Sequence, residues 1–186
     1  MSTQQFTWNY TPPAFEPVKY IPAGHADFMR DLVVWQIYAV AHEPLPDGAN
    51  HWCFYLQVGE AHSVRIDVTP DYNQAGTVLQ GGYKANIVVS YLEYLYSNSA
   101  QHAAAMAVCP DLKVEHVLDY IIASNRHQYE FDSQGRGCRN WTSDQIDLLR
   151  GQGWLTDDTE TDAAKAAIRL RHPEQEPVEL WPGAYY

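Results

Sequence analysis

The sequence predicts an α+β domain, an antiparallel sheet packed by a few helices, and three observations carry that prediction. Segments 51–58 and 63–68 alternate apolar and polar residues with the period of a strand, on either side of Gly59-Glu60-Ala61. Segments 114–123 and 138–150 instead repeat apolar residues at helical spacing. The order is strands first and helices after, which favours segregated elements over a parallel βαβ sheet.

Along the chain, residues 1–30 hold Pro12, Pro13, Pro17 and Pro22 between aromatics and predict an extended arm. Residues 31–155 predict the α+β domain, and 156–186 an acidic C-terminal helix and tail. Within the domain, 32–42 is rich in Val, Ile, Trp and Tyr and predicts a strand, stopped by the turn signal Glu43-Pro44-Leu45-Pro46-Asp47-Gly48. In the next strand Trp52, Phe54, Leu56 and Val58 share one face. In the return strand Val64, Ile66 and Val68 do so, and matching faces fix the pairing. A hairpin centred on Gly59 puts Asp67 opposite His51 and Arg65 opposite Cys53. A third strand is expected over 86–96, although 87–92 fits a helix as well.

The helix at 114–123 follows from Val114, Val117, Leu118, Ile121 and Ile122 on one face. The helix at 138–150 has Trp141, Gln145, Ile146 and Leu149 marking its faces, and Gly151 and Gly153 stop it. A short Ala-rich helix is expected over 163–170.

Composition bounds the partners. The formal net charge is -11 and no basic run interrupts it, so nucleic acid and anionic membrane surfaces are not expected partners. Hydrophobic residues make up 46%, enough for a sizeable core. No apolar run is long enough to span a membrane, and the N-terminus lacks the charged and apolar regions of a secretory signal. Three widely spaced cysteines, Cys53, Cys109 and Cys138, do not make a disulfide framework; a reducing, cytoplasmic setting is expected. The apolar tail from Trp181 to Tyr186 is expected to pack on its own domain or on a second copy, which makes a homodimer the assembly to test.

Cys138 is the candidate nucleophile. It follows Gly135-Arg136-Gly137 and opens a helix, where unpaired N–H groups and the helix dipole favour a thiolate. Arg136 and Arg139 add positive charge. The competing reading is that Cys138 is a small core residue. A thiol nucleophile needs a base held by a third polar group. His51 is one candidate, with Asp67 on the next strand to orient it; His62, at the start of the return strand, is the other. Tyr55, Arg65, Arg139 and Trp141 are candidate substrate contacts. Paired metal ligands at short spacing are absent, and only His51 and Cys53 share a strand face, so no metal and no cofactor is expected. Gly81-Gly82 lacks the third glycine of a phosphate loop, and no Gly-x-Ser-x-Gly elbow is present.

A His opening a strand, a polar residue on the next strand, and later a Cys in Gly137-Cys138-Arg139-Asn140-Trp141 resemble the circularly permuted papain-like group. That group includes the permuted NlpC/P60 proteins, the lecithin:retinol acyltransferase-like proteins and the PPPDE peptidases. The resemblance covers 50–150 and implies thiol chemistry, with His51 or His62 as base. The set His51-Trp52-x-Phe54-Tyr55-Leu56, Ser63-Val64-Arg65, Ser97-Asn98-Ser99-Ala100 and Gly137-Cys138-Arg139-x-Trp141 is also similar to a group of small fungal proteins of uncharacterised role, which implies by analogy a place in metabolite biosynthesis.

Two functions follow as expectations. The first is a thiol-dependent hydrolase or acyltransferase acting on an amide or ester of a small molecule or peptide. The second is a non-hydrolytic pocket, binding a hydrophobic small molecule or directing a cyclisation or isomerisation, with Tyr55, Trp141 and Trp154 as walls and Cys138 structural.

Overall fold

The computed structural model describes residues 14–45 and 48–186. The expectations that fall on 1–13, with Pro12 and Pro13, and on Pro46-Asp47 lie outside the described residues. The elements are, in chain order, β1 (Val18–Ile21), α1 (Ala26–Asp31), β2 (Gln36–Pro44), β3 (Asn50–Gly59), β4 (His62–Ala75), β5 (Tyr83–Leu92), β6 (His102–Ala107), α2 (Val114–Ala123), β7 (Tyr129–Phe131), α3 (Cys138–Gly151), α4 (Asp158–Ile168), β8 (Leu170–Arg171), β9 (Glu176–Pro177) and β10 (Ala184–Tyr185). The fold is α+β. Eight strands form one sheet in the order β10-β7-β5-β4-β3-β2-β6, with β1 added beside β5. Every pairing in it is antiparallel except β1 with β5.

Alternation decides the two faces. Trp52, Phe54 and Leu56 of β3 and Val64, Ile66 and Val68 of β4 point into the main core, where Met29, Val117, Trp141 and Ile168 bring in one residue from each helix. The intervening residues of β3, Cys53 and Tyr55, join Val40 in a smaller cluster on the opposite face, which Leu92, Ala100 and Ala103 help to cover. The sheet is therefore covered on both sides near its centre.

Several elements differ from the sequence expectation. The described part of 1–30 is not an arm: Val18 to Ile21 pair in parallel with Ile87 to Ser90, and Met29 is fully buried. Pairing satisfies the backbone of this Pro-flanked segment, which local composition cannot reveal. The Ala-rich strand β6 pairs with β2 from Ala41↔His102 to Gln36↔Ala107; alanine gives no period-2 signal. The strand at 83–92 is a strand and not a helix. The C-terminal tail packs on its own domain, with Tyr185 pairing with Tyr129.

The hairpin register is the difference that matters for the site. The observed partners are Tyr55↔Arg65 and Phe54↔Ile66, with an irregularity between Gln57 and Gly59 near the turn. Continued, this register puts Cys53 and not His51 across from Asp67. The shift is an even number of residues, so every side chain stays on its expected face. Asp67 then approaches His51 along the diagonal.

Candidate active site

The paired residues of β3 and β4 end at Phe54↔Ile66, although both strands run on, β3 back to Asn50 and β4 forward to Ala75. Beyond that point the backbone of Trp52 comes close enough to Cys138 to favour its thiolate. The start of α3 thus meets the sheet where its ladder is open. This is how Cys138, part of the main core, meets His51 and Asp67 on the opposite face of the strands.

Local chemistry holds α3 in that position. In the loop before it, the Asp132 carboxylate accepts from the backbone N–H groups of Gln134 and Arg136, both at 2.9 Å, and from Nε of Arg136 at 2.8 Å. Gly137, with φ of 152°, precedes the helix; a Cβ there would lie 3.1 Å from the Tyr129 hydroxyl and 3.2 Å from the Phe131 ring. Close approach and backbone angle together require glycine. The Tyr129 hydroxyl donates to the Gly137 carbonyl at 2.9 Å.

At the helix start, Cys138 lines the same cleft as His51, and each residue shifts the other toward its charged form. Nε2 of His51 lies 2.6 Å from Oδ1 of Asp67. Cys138 is 7% exposed. Burial alone pushes its thiol pKa up, but the His51 hydrogen bond and charge, the Trp52 N–H and the Arg139 cation outweigh it and set the thiol below its ordinary value. Burial likewise opposes a charge on His51, yet Asp67 and Cys138 raise its pKa to about 10. Asp67 is partly buried, and its pKa is nevertheless lowered by His51 and Arg65. All three shifts run in one sense, each favouring the charged form of its group.

This trio opens onto a cleft of about 530 Å³. Leu45, Val68, Pro70, Tyr72 and Phe131 make its apolar walls, and Glu43, Thr69 and Ser99 are polar points on it. His42, which sequence reasoning missed, also lines the cleft. Its Nε2 lies 3.2 Å from the Cys53 sulfur and 3.3 Å from the Tyr55 hydroxyl, and Nδ1 lies 3.4 Å from Oγ of Ser99. Burial and the neighbouring His51 hold His42 below the ordinary imidazole value, so it is the neutral histidine of the pair. The signal was its strand parity: His42 follows Tyr38 and Val40 on the face opposite the main core, and could be read only once the β2–β3 pairing was known.

The structure separates the other sequence candidates from the cleft. His62 sits across from Gly59 at the hairpin turn and stacks on Tyr91, at the far end of β3 from His51. Tyr55 is fully buried beside His42 and Cys53, and is not a wall. Trp141 is fully buried, packs on Phe54 and donates from Nε1 to the Arg126 carbonyl at 2.8 Å. Its place on α3 faces the sheet, so it is core and not a substrate contact. Trp154 packs edge-on against Tyr120. Arg139 is 5% exposed; its Nε donates to the Ile168 carbonyl at 2.8 Å and Nη1 to the Glu179 carbonyl at 3.3 Å, so it ties α3 to the C-terminal segment. Arg65 lies beside Asp67, 3.8 Å from Nε to Oδ2, behind the trio and outside the cleft lining.

His51, Cys53 and Asp67 each offer one ligand atom, all within 4.8 Å of one another. A metal held there would have to displace the Cys53 proton. Burial and the Asp67 charge push the Cys53 thiol well above its ordinary value, and a metal binds thiolate. The cysteine poised as a thiolate is Cys138.

A family model described as a domain of unknown function (DUF7770) matches residues 37–186. No curated protein and no solved structure matches the chain. The matched span contains every member of the trio. Among the described residues, no helix is long and apolar enough to cross a membrane.

Proposed function

The chain belongs to the DUF7770 family, and we propose that it is a thiol-dependent hydrolase or acyltransferase acting on an amide or ester, with Cys138 as nucleophile, His51 as acid and base, and Asp67 as the group that orients His51. One observation carries this reading: Cys138, at the start of a helix, and His51 line one cleft, and Nε2 of that histidine is held 2.6 Å from the partly buried Asp67 carboxylate. Nucleophile, base and orienter in one chain of contacts is the arrangement covalent catalysis requires.

The steps follow from the charges. The Cys138 thiolate attacks the carbonyl carbon, a C–S bond forms, and the carbonyl oxygen becomes an oxyanion. Backbone N–H groups at the start of α3 are the donors this reading assigns to it. His51 gives its proton to the departing amine or alkoxide as the C–N or C–O bond breaks. An acyl thioester on Cys138 remains. Water or an acceptor then attacks it, losing its proton to His51, and the thiolate leaves.

The resemblance to permuted papain-like proteins belongs to the same proposal: strand His, strand Asp and helix-start Cys come in that order along the chain. The alternative of a binding pocket walled by Tyr55, Trp141 and Trp154 draws no support from the cleft, since none of the three lines it. The test is an acyl-enzyme trap. p-Nitrophenyl acetate should release a burst of about one equivalent of nitrophenolate and leave an acetyl group on Cys138 by mass spectrometry. Cys138→Ser should give neither. A burst that survives in Cys138→Ser rejects the proposal.

A further inference from the structure

The cleft walls are chemically one-sided. No Lys or Arg is among its described lining residues, and the His51 imidazole is already held 2.6 Å from the Asp67 carboxylate. Two groups on the wall attract cations. Glu43 is exposed, at the end of β2, and no ion pair involves it among the described residues. Tyr72 is 66% exposed, packs edge-on against Tyr83 and lines the cleft.

We propose that Glu43 and Tyr72 select a substrate that carries a cationic amine or guanidinium next to the amide or ester bond, on an otherwise apolar framework. This rests on the thiol-transfer reading of Cys138 and adds the substrate class to it. An ammonium group between a carboxylate and the face of an aromatic ring gains from both, the ring through its quadrupole. Leu45, Val68, Pro70 and Phe131 then take the apolar part by burial. A carboxylate or phosphate on the substrate meets Glu43 and finds no cationic side chain on the wall to offset it. The net charge of -11 acts in the same sense, drawing cations toward the molecule and holding anions off.

The test needs no knowledge of the substrate. Three methanethiosulfonates that differ in charge transfer their S-alkyl group to a thiolate, forming a disulfide and releasing methanesulfinate: the neutral methyl, the cationic aminoethyl and the anionic sulfonatoethyl reagents. Their rates at Cys138 are followed by peptide mass spectrometry and normalised to a free thiol. The cationic reagent should outpace the anionic one. Glu43→Gln should cut that ratio about two- to fivefold, the size expected for one charge acting across a partly wet cleft. Tyr72→Leu should lower the cationic rate and leave the neutral rate unchanged, and high salt should flatten the preference in the wild type. A ratio that neither substitution changes, with the neutral reagent still fast, overturns the substrate class and leaves the thiol reading standing. A Cys138 that the neutral reagent cannot modify takes both down.

Discussion

Nε2 of His51 lies 2.6 Å from Oδ1 of Asp67, across the open part of the ladder between two strands. The carboxylate orients the ring, and its charge favours a proton on it. Removing that charge while keeping the shape is therefore informative. Asp67→Asn should leave the fold intact and weaken the imidazolium, and with it the thiolate. The acid limb of Cys138 alkylation should move up toward the ordinary thiol value by on the order of one pH unit, about 1.4 kcal/mol. Alkylation rates measured from pH 4 to pH 9 decide this; an unmoved limb means that Asp67 does not tune the pair.

The pair also sets a pH window for amide turnover. Activity should rise as pH climbs through the lowered Cys138 value and the thiolate appears. It should fall again as His51 loses its proton near pH 10, because nothing is then left to protonate the departing amine. A profile with its alkaline fall near the ordinary imidazole value, about 6.5, would show that the ion pair does not form.

Gly137→Ala tests the placement of the nucleophile. The added methyl group would meet the Tyr129 hydroxyl and the Phe131 ring at a backbone angle that favours glycine. Strain of this kind costs about 1–3 kcal/mol. Part of it should appear as a lower denaturation midpoint and part as a slower Cys138, since the helix start must shift to relieve the contact. An unchanged midpoint and rate would mean that the loop is looser than described.

Trp141→Ala separates core from pocket. Trp141 is fully buried against Phe54, so its loss should cost about 3–5 kcal/mol of stability, read from chemical denaturation. A stable variant with altered ligand binding would instead support an aromatic-walled pocket.

Much of this was legible in the sequence, and the rest was hidden for physical reasons. The helix starting at Cys138 and the one over Val114–Ala123 were readable because apolar spacing and the glycines around them act locally. The shared face of His51 and Asp67 was readable from alternation, although the register was not: the irregularity near Gly59 moved each partner by two residues and left the faces alone. Tyr55 and Trp141 were misplaced because an aromatic suits a pocket wall and a core equally well by composition. His42 and the strand over His102–Ala107 depend on pairing between distant segments, which no local pattern encodes.

The most direct test of the central claim is the order in which the three free cysteines react with iodoacetamide at pH 6, followed by peptide mass spectrometry. Cys109 is the more exposed, while Cys53 and Cys138 are buried, so accessibility alone would put Cys109 first. The ion pair with His51 predicts that Cys138 reacts first, by an order of magnitude or more over Cys109, given the several-hundredfold excess of thiol over thiolate in an ordinary cysteine at that pH. His51→Ala should abolish the advantage. If Cys109 is labelled first in the wild type, or if His51→Ala leaves Cys138 as fast as before, the thiol is not activated and the proposed chemistry is wrong.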